Sequence, residues 1–265
     1  MNLILLGSIS SLAYIGSSLL IFREVRKKVG DNYALYLAWV AVALHTIYYT
    51  ENLIQFGTIN FSFFSTASLV SLLVALMLLI AAISKPVEKL GIALFPLAAI
   101  MLACNMIFPG NSQSIQMNDW KMHTHILSSI IAFSLLNIAA FQAILLAIQD
   151  HQLRKHNPKW LIQSLPPLQT MESLLFQMIM MGMVFLSVSL ISGFVFVEDL
   201  FAQHLGHKTI LSILAWIIFG GLLTGRTLYG WRGQTAIRWT LIGFAALLLA
   251  YFGSKLVYEF ILQKR

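Results

Sequence analysis

Apolar positions in this chain fall into eight long runs, at 2–22, 33–54, 63–83, 91–108, 123–148, 171–196, 208–228 and 238–260, joined by short polar connections. A helix needs about 20 mostly apolar residues to cross a ~30 Å hydrocarbon core. Each run therefore predicts one transmembrane helix, and the chain reads as an all-α polytopic membrane protein with eight spans. The longest connection, roughly 149–170, is interrupted by Pro158, Pro166 and Pro167 and is too short to fold separately. The expectation is one transmembrane domain over 1–265. Chemistry must then sit between helices or in a thin cap. No internal repeat is evident, so the inverted-repeat signature of many transporters is missing.

Composition agrees. Of 265 residues, 58% are hydrophobic and 10% charged, with a mean hydropathy of +0.81. Soluble domains carry about 25% charge, so a soluble enzyme, a secreted domain and a disordered chain are excluded. The net charge of +7 acquires its meaning from where the cations lie. The connections after the first, third, fifth and seventh runs, with their flanks, hold most of the Lys and Arg, from Arg23, Arg26, Lys27 and Lys28 to Arg226, Arg232 and Arg238. The other side holds Lys121, Lys208, Lys255, Lys264 and Arg265. By the positive-inside bias both termini face out; Lys264 and Arg265 alone run against it at the C-terminus. The first run has no basic residue before it and is not read as a cleaved signal. The cations set topology, and no nucleic-acid partner is expected. The single cysteine, Cys104, excludes an intramolecular disulfide, CxxC chemistry and tetrathiolate zinc.

The histidines carry the candidate chemistry. His45 lies about 12 residues into the second run, ~18 Å from its inner end and just past the midplane. Glu51 follows nearly two turns further out. His123 and His125 open the fifth run from outside, and His204 and His207 precede the seventh on the same side. Ionisable groups within a span are costly and face the bundle interior or water. Neutral imidazole is the commonest metal ligand, and two opposed imidazoles can hold haem iron. His45, His125 and His207 are thus candidate haem ligands. His123 is the alternative to His125, since the two stand ~200° apart around a regular helix. A second reading takes His45, Glu51, His125 and His207 as a divalent-metal site suited to cobalt or nickel, with Glu198 and Asp199 recruiting the ion. A third gives the histidines only structural hydrogen bonds within a membrane regulator or scaffold. His151 and His156 lie inside, in a charged connection.

Other features are blander. Met171, Met178, Met180, Met181 and Met183 fall all round the sixth run and suit packing. Gly221 and Gly225 form a GxxxG that permits close helix approach. Thr170 and Glu172 read as an N-cap and a first-turn carboxylate, and Arg226 as a snorkelling side chain. No nucleotide-binding loop, nucleophile elbow or HExxH is present, so no enzymatic activity is expected.

Three stretches resemble a known family: the run from Trp120 through His123 and His125 to Ser129, the segment Leu165–Phe176 with its paired prolines and Glu172, and His207–Trp216 leading to Gly225-Arg226 and Gly230-Trp231-Arg232-Gly233. Together they resemble the cytochrome c assembly superfamily, which includes the CcsA, CcmC and HemX groups, over about 110–260; earlier residues share only topology and His45. The resemblance implies a bacterial inner-membrane protein that handles haem at its outer face, with haem, another membrane protein and the bilayer as partners. The family's first outer histidine falls on His125 and its second, by spacing from Trp216, on Thr224. CcsA and CcmC present haem beneath a tryptophan-rich loop. The matching segment here, Val197–His207, contains no tryptophan. The resemblance therefore implies haem binding without that presenting loop, and a HemX-like eight-span topology.

Overall fold

The computed structural model describes residues 3–27, 33–56, 62–108, 120–155, 162, 164–196 and 206–253. Among these the chain forms eight long helices: α1 (Leu3–Lys27), α2 (Tyr33–Phe56), α3 (Phe63–Ala82), α4 (Gly91–Ile107), α5 (Trp120–Arg154), α6 (Leu168–Phe196), α7 (Gly206–Tyr229) and α8 (Gln234–Leu248). A 3-10 turn, Glu88–Leu90, leads into α4, and a π turn, Leu249–Gly253, ends α8. Each apolar run has become a helix because a backbone in hydrocarbon must bond to itself.

Seven of these helices are long and apolar enough to cross a membrane. The exception is α2, which has 24 residues but spends many of them on Tyr33, Tyr36, Trp39, His45, Tyr48, Tyr49 and Glu51. Its length satisfies the expectation of a span, and its side chains dilute the apolarity. α5 runs 35 residues, or ~52 Å by helical rise, and so continues past any bilayer core, while α8 begins four residues before the eighth run, whose end at 254–260 lies outside the described residues.

The chain divides into two compact units. One comprises residues 1–116 with 163–165, the other 117–162 with 166–265. In the first, α1 packs against both α2 and α4, and α3 against α4 and α2. Small polar residues make the first contacts possible. Ser10 and Ser17, two turns apart on α1, donate to the backbone oxygens of Ala41 and Ala34 on α2, at 2.8 and 2.7 Å. Ser18 donates to Ile92 O, in the first turn of α4, at 2.9 Å. A serine hydroxyl is short, so it meets a neighbouring carbonyl only where the helices nearly touch. Ala34, Ala38 and Ala41, all fully buried, allow that approach.

In the second unit α5 and α6 form the main contact, α7 packs on α6 and α8, and α8 also packs on α5. At Gly182 on α6 the fit is tight, since a Cβ there would stand 2.7 Å from Leu136 Cγ. Gln142 donates to Met171 O at 3.1 Å, and Phe133 is boxed by Phe244, Tyr251 and Phe252.

Three local expectations are corrected. The GxxxG does not bring a helix onto both glycines. Gly225 is covered by Trp231, whose indole occupies the place a Cβ would take, whereas Gly221 faces open space. Thr170 is not an N-cap, because α6 already begins at Leu168, with Met171 N–H donating to Pro167 O at 3.1 Å. Glu172 is therefore beyond the first turn and binds elsewhere. The methionines of α6 divide by exposure: Met171 and Met183 are core, while Met180 and Met181 are half exposed.

The α1–α2 contact makes a direct prediction. Ser17→Ala removes one interhelical hydrogen bond and should cost about 0.6 kcal/mol. Ser17→Leu must force the helices apart and should cost about 2–3 kcal/mol. Thermal unfolding of the detergent-solubilised protein compares them, and equal effects would show that α1 and α2 do not approach closely at this position.

Candidate functional site

His125 stands in the second turn of α5, opposite the last turns of α6. Its Nδ1 lies 2.9 Å from Ser189 O. A carbonyl oxygen only accepts, so Nδ1 carries a proton, and in the neutral ring Nε2 is the nitrogen with the lone pair. Ser192 Oγ is 3.3 Å from the same Nδ1 and itself donates to Ser189 O at 2.9 Å. Ser129 Oγ donates to His125 O at 2.6 Å and shares a 2.6 Å hydrogen bond with Ser189 Oγ. The spacing Ser189, Ser192, Gly193 puts all three on one α6 face, and Gly193 leaves room for the ring: a Cβ there would be 3.1 Å from His125 Cε1. The imidazole is partly exposed. Among the described residues no hydrogen bond engages Nε2. An imidazole whose Nδ1–H is fixed by a carbonyl while Nε2 stays open has the outer-shell arrangement of a metal-ligating histidine.

His45 is the opposite case. It is fully buried. Tyr14 OH lies 3.3 Å from its Nδ1, and Ser68 Oγ lies 3.1 Å from its Nε2. Tyr49 stacks on the ring at 5.6 Å between centroids, and Tyr14 meets it edge-on at 5.9 Å. The serines of α3 explain the placement. Ser62, Ser65, Ser68 and Ser71 recur every third residue, and the last three are buried. Ser68 meets His45, while Ser65 O accepts from Tyr49 OH at 2.7 Å. One imidazole thus ties α1, α2 and α3 together, with both nitrogens in use.

The remaining candidates are less determined. Glu51 is part-buried on α2, in the unit that holds His45. His207 is the second residue of α7, and His123 lies in the first turn of α5; their side chains, together with all of His204, Glu198 and Asp199, lie outside the described residues. Both His123 and His207 belong to the unit of His125. Among the described residues no three His, Cys, Asp or Glu side chains are placed to share a metal ion. Thr224 is exposed, and its hydroxyl donates to Gly220 O of its own helix at 2.8 Å.

At the opposite end of this unit the structure assembles a cluster that sequence reasoning missed. Glu172 Oε1 stands 3.5 Å from Arg226 Nη1 and 3.8 Å from Arg232 Nε, and its Oε2 accepts from the Gly233 N–H at 3.2 Å. The Arg226 guanidinium also lies 3.7 Å over the Phe176 ring, a cation–π contact. It is therefore paired on two sides, which plain snorkelling did not anticipate. The α7–α8 turn is set by its glycines. Gly230 (φ +66°) takes the left-handed cap position. Gly230 N–H donates to Arg226 O, the single bond of an αL helix cap, and Trp231 N–H donates to Gly225 O one residue further back. This pairing folds Trp231 back onto Gly225. The signal was present in the sequence, because Glu172, Arg226 and Trp231-Arg232-Gly233 all belong to the stretches that carried the resemblance. What the sequence lacked was the pairing between them.

Comparisons with known proteins bear on this geometry. The family model for cytochrome C assembly protein matches residues 30–262. The chain is 31% identical over 230 residues to the inner membrane protein YpjD of Escherichia coli strain K12, covering 86% of this chain and 87% of the relative. It is 31% identical over 140 residues to an uncharacterized 28.8 kDa protein of Azospirillum brasilense, 52% of each chain. It is 25% identical over 144 residues to the cytochrome c biogenesis protein CcsA of Chlamydomonas reinhardtii, 54% of this chain and 39% of that one. No solved structure matches. The match extends well upstream of residue 110, through α2 and the buried His45, and on it the chain belongs to the cytochrome c assembly protein family.

Proposed function

We propose that this chain, a multi-pass inner-membrane protein of the cytochrome c assembly family, binds haem through Nε2 of His125 at the end of the second unit formed by the start of α5 and the end of α6. One observation carries the reading. The Ser189 carbonyl holds His125 Nδ1–H at 2.9 Å, so the tautomer that a ligand needs is already set. Ser192 Oγ adds a second partner at Nδ1, Ser129 ties the His125 backbone carbonyl to Ser189, and Gly193 keeps the space beside Cε1 open. Bound haem would supply an iron that accepts imidazole nitrogen as an axial ligand. The protein's part is to hold the ring at Nδ1 and leave Nε2 toward the ligand. His207, which opens α7 beside the end of α6, is the second ligand in this reading. His45 is assigned a cross-linking role instead, because ligation there would break a hydrogen bond that Ser68 already makes. Family membership supports haem as the ligand, since CcsA-type members handle haem. The segment 197–205 has no tryptophan, so binding and holding haem are proposed here, and presentation to an apocytochrome is not.

We further propose that all eight helices cross the membrane, with both termini outside. The Lys and Arg distribution supports this, as does α2, whose 24 residues span ~36 Å and whose mid-helix histidine is satisfied within the protein.

Two measurements test these readings. Haem titration of the purified protein in mild detergent should give a stoichiometric imidazole-ligated spectrum. His125→Ala should lower haem affinity at least ten-fold. His45→Ala should leave the spectrum in place and cost about 2 kcal/mol of stability through lost hydrogen bonds and a cavity. Haem that partitions equally into wild type and His125→Ala would overturn the assignment. For topology, single cysteines in a Cys104→Ser background should label with a membrane-impermeant maleimide at Thr58→Cys and Gln203→Cys in intact spheroplasts. Asp31→Cys and Ser84→Cys should label only after permeabilisation. If Asp31→Cys and Thr58→Cys label alike, α2 does not cross.

A further inference from the structure

The cluster around the α7–α8 turn has more cation than it needs for its own pairing. Glu172 is one carboxylate, and Arg226 and Arg232 both lean on it. Neither contact is a full hydrogen bond in length. Arg226 Nη1 is buried with no hydrogen-bond acceptor, while Arg232 touches Glu172 only through Nε and is 70% exposed. Arg238, one turn into α8, is exposed as well. The nearby Asp150 carboxylate is already engaged by Arg154 at 3.0 Å and by Gln234 at 2.7 Å. The surface therefore keeps a net positive charge at the point where two apolar helices end.

Aromatic rings flank that charge. Trp231 stacks between Tyr229, at 6.3 Å, and Trp239, at 5.9 Å. Tyr229 is 76% and Trp239 37% exposed. Beyond them exposed apolar side chains, Leu228 on α7 and Ile242 on α8, continue the surface away from the turn. Aromatic rings of this kind settle at the headgroup level of a bilayer, and arginines beside them meet lipid phosphates. The arrangement is preformed, because the αL cap at Gly230, the Trp231–Gly225 backbone hydrogen bond and the Gly233–Glu172 hydrogen bond fix the turn before any ligand arrives.

We propose that this turn is a binding site for an anionic phospholipid. Its phosphate is taken by Arg232 and Arg238, with Arg226 adding charge from beneath. Its glycerol backbone and first methylenes lie against Tyr229 and Trp239, and its acyl chains run along Leu228 and Ile242. The site is independent of the haem reading, since it lies at the other end of α7 from His207.

The test uses the full chain in a zwitterionic detergent. Phosphatidylglycerol and phosphatidylcholine of equal chain length are titrated separately, and bound lipid is counted by native mass spectrometry alongside thermal unfolding. Phosphatidylglycerol should bind at least five-fold more tightly and raise Tm. Arg232→Gln should weaken binding about five-fold, as expected for one juxtamembrane charge. Arg238→Gln should do the same, and because Arg238 has no role in the Glu172 cluster it separates lost binding from lost folding. Inorganic phosphate should leave Tm unchanged. Equal binding of the two lipids, or undiminished phosphatidylglycerol binding by Arg238→Gln, would overturn the proposal. A phosphate effect as large as that of phosphatidylglycerol would instead make this a free-anion site.

Discussion

A bilayer core offers no water to complete a hydrogen bond, and most of this structure follows from that one constraint. The backbone answers it by coiling into helices. The side chains answer it by pairing across helix contacts. Ser10, Ser17 and Ser18 place their hydroxyls against carbonyls of neighbouring helices. Gln142 does the same with its amide, and His45 spends both ring nitrogens. Each of these groups is small or planar enough to reach a partner only at close approach. The polar positions therefore fix which helix faces meet, while the apolar bulk, interchangeable between protein and lipid, does not.

The same constraint separates two histidines that sequence alone treats alike. His45 is enclosed, and an open nitrogen there would be an unsatisfied buried group, costing about 1–3 kcal/mol. Ser68 and Tyr14 remove that cost and also remove the lone pair a ligand would use. His125 sits near a helix end, partly exposed, where an open Nε2 is tolerable. Among the described residues only its Nδ1 is anchored. A binding imidazole must be held firmly at one nitrogen and left alone at the other, and the membrane's polarity gradient permits that near a helix end more readily than at mid-span.

Much of this was legible before the fold. The eight apolar runs gave helices whose ends agree closely for α3, α4 and α7, because apolar periodicity and polar connections report the same boundary. α2 was legible as a helix and is marginal by hydropathy, since its tyrosines carry a polar tip on an apolar body. What was not legible were partnerships between distant residues. The period-three serines of α3 gave no hint that Ser68 would face an imidazole from α2. Glu172 was assigned to its own helix end, yet it binds Arg226, Arg232 and the Gly233 amide. Gly225 was read as a helix-packing notch and instead receives Trp231 from its own turn. A helical pattern shows which face a residue occupies. It does not show what stands across from that face.

The three stretches that resemble the family separate spatially once the second unit is folded. Trp120–Ser129 supplies His125 and Ser129 at one end. Leu165–Phe176 and Gly225–Gly233 supply Glu172, Phe176, Arg226 and Trp231 at the other, ~26 Å away by the helical rise of α6 between Ser189 and Glu172. At the charged end each motif residue touches another motif residue, so a change in one strands a buried charge or opens a gap under Trp231. At the His125 end the partners are a backbone carbonyl and single hydroxyls, which many sequences can provide. The segment 197–205, where tryptophans would form a presenting loop in CcsA and CcmC, lies beyond both networks along the chain. The ring anchor at Ser189 and Ser192 and the arginine cluster at Glu172 are both built from described residues outside it. A held imidazole on this scaffold needs no tryptophan-rich segment, because its anchor comes from Ser189 and Ser192 of α6.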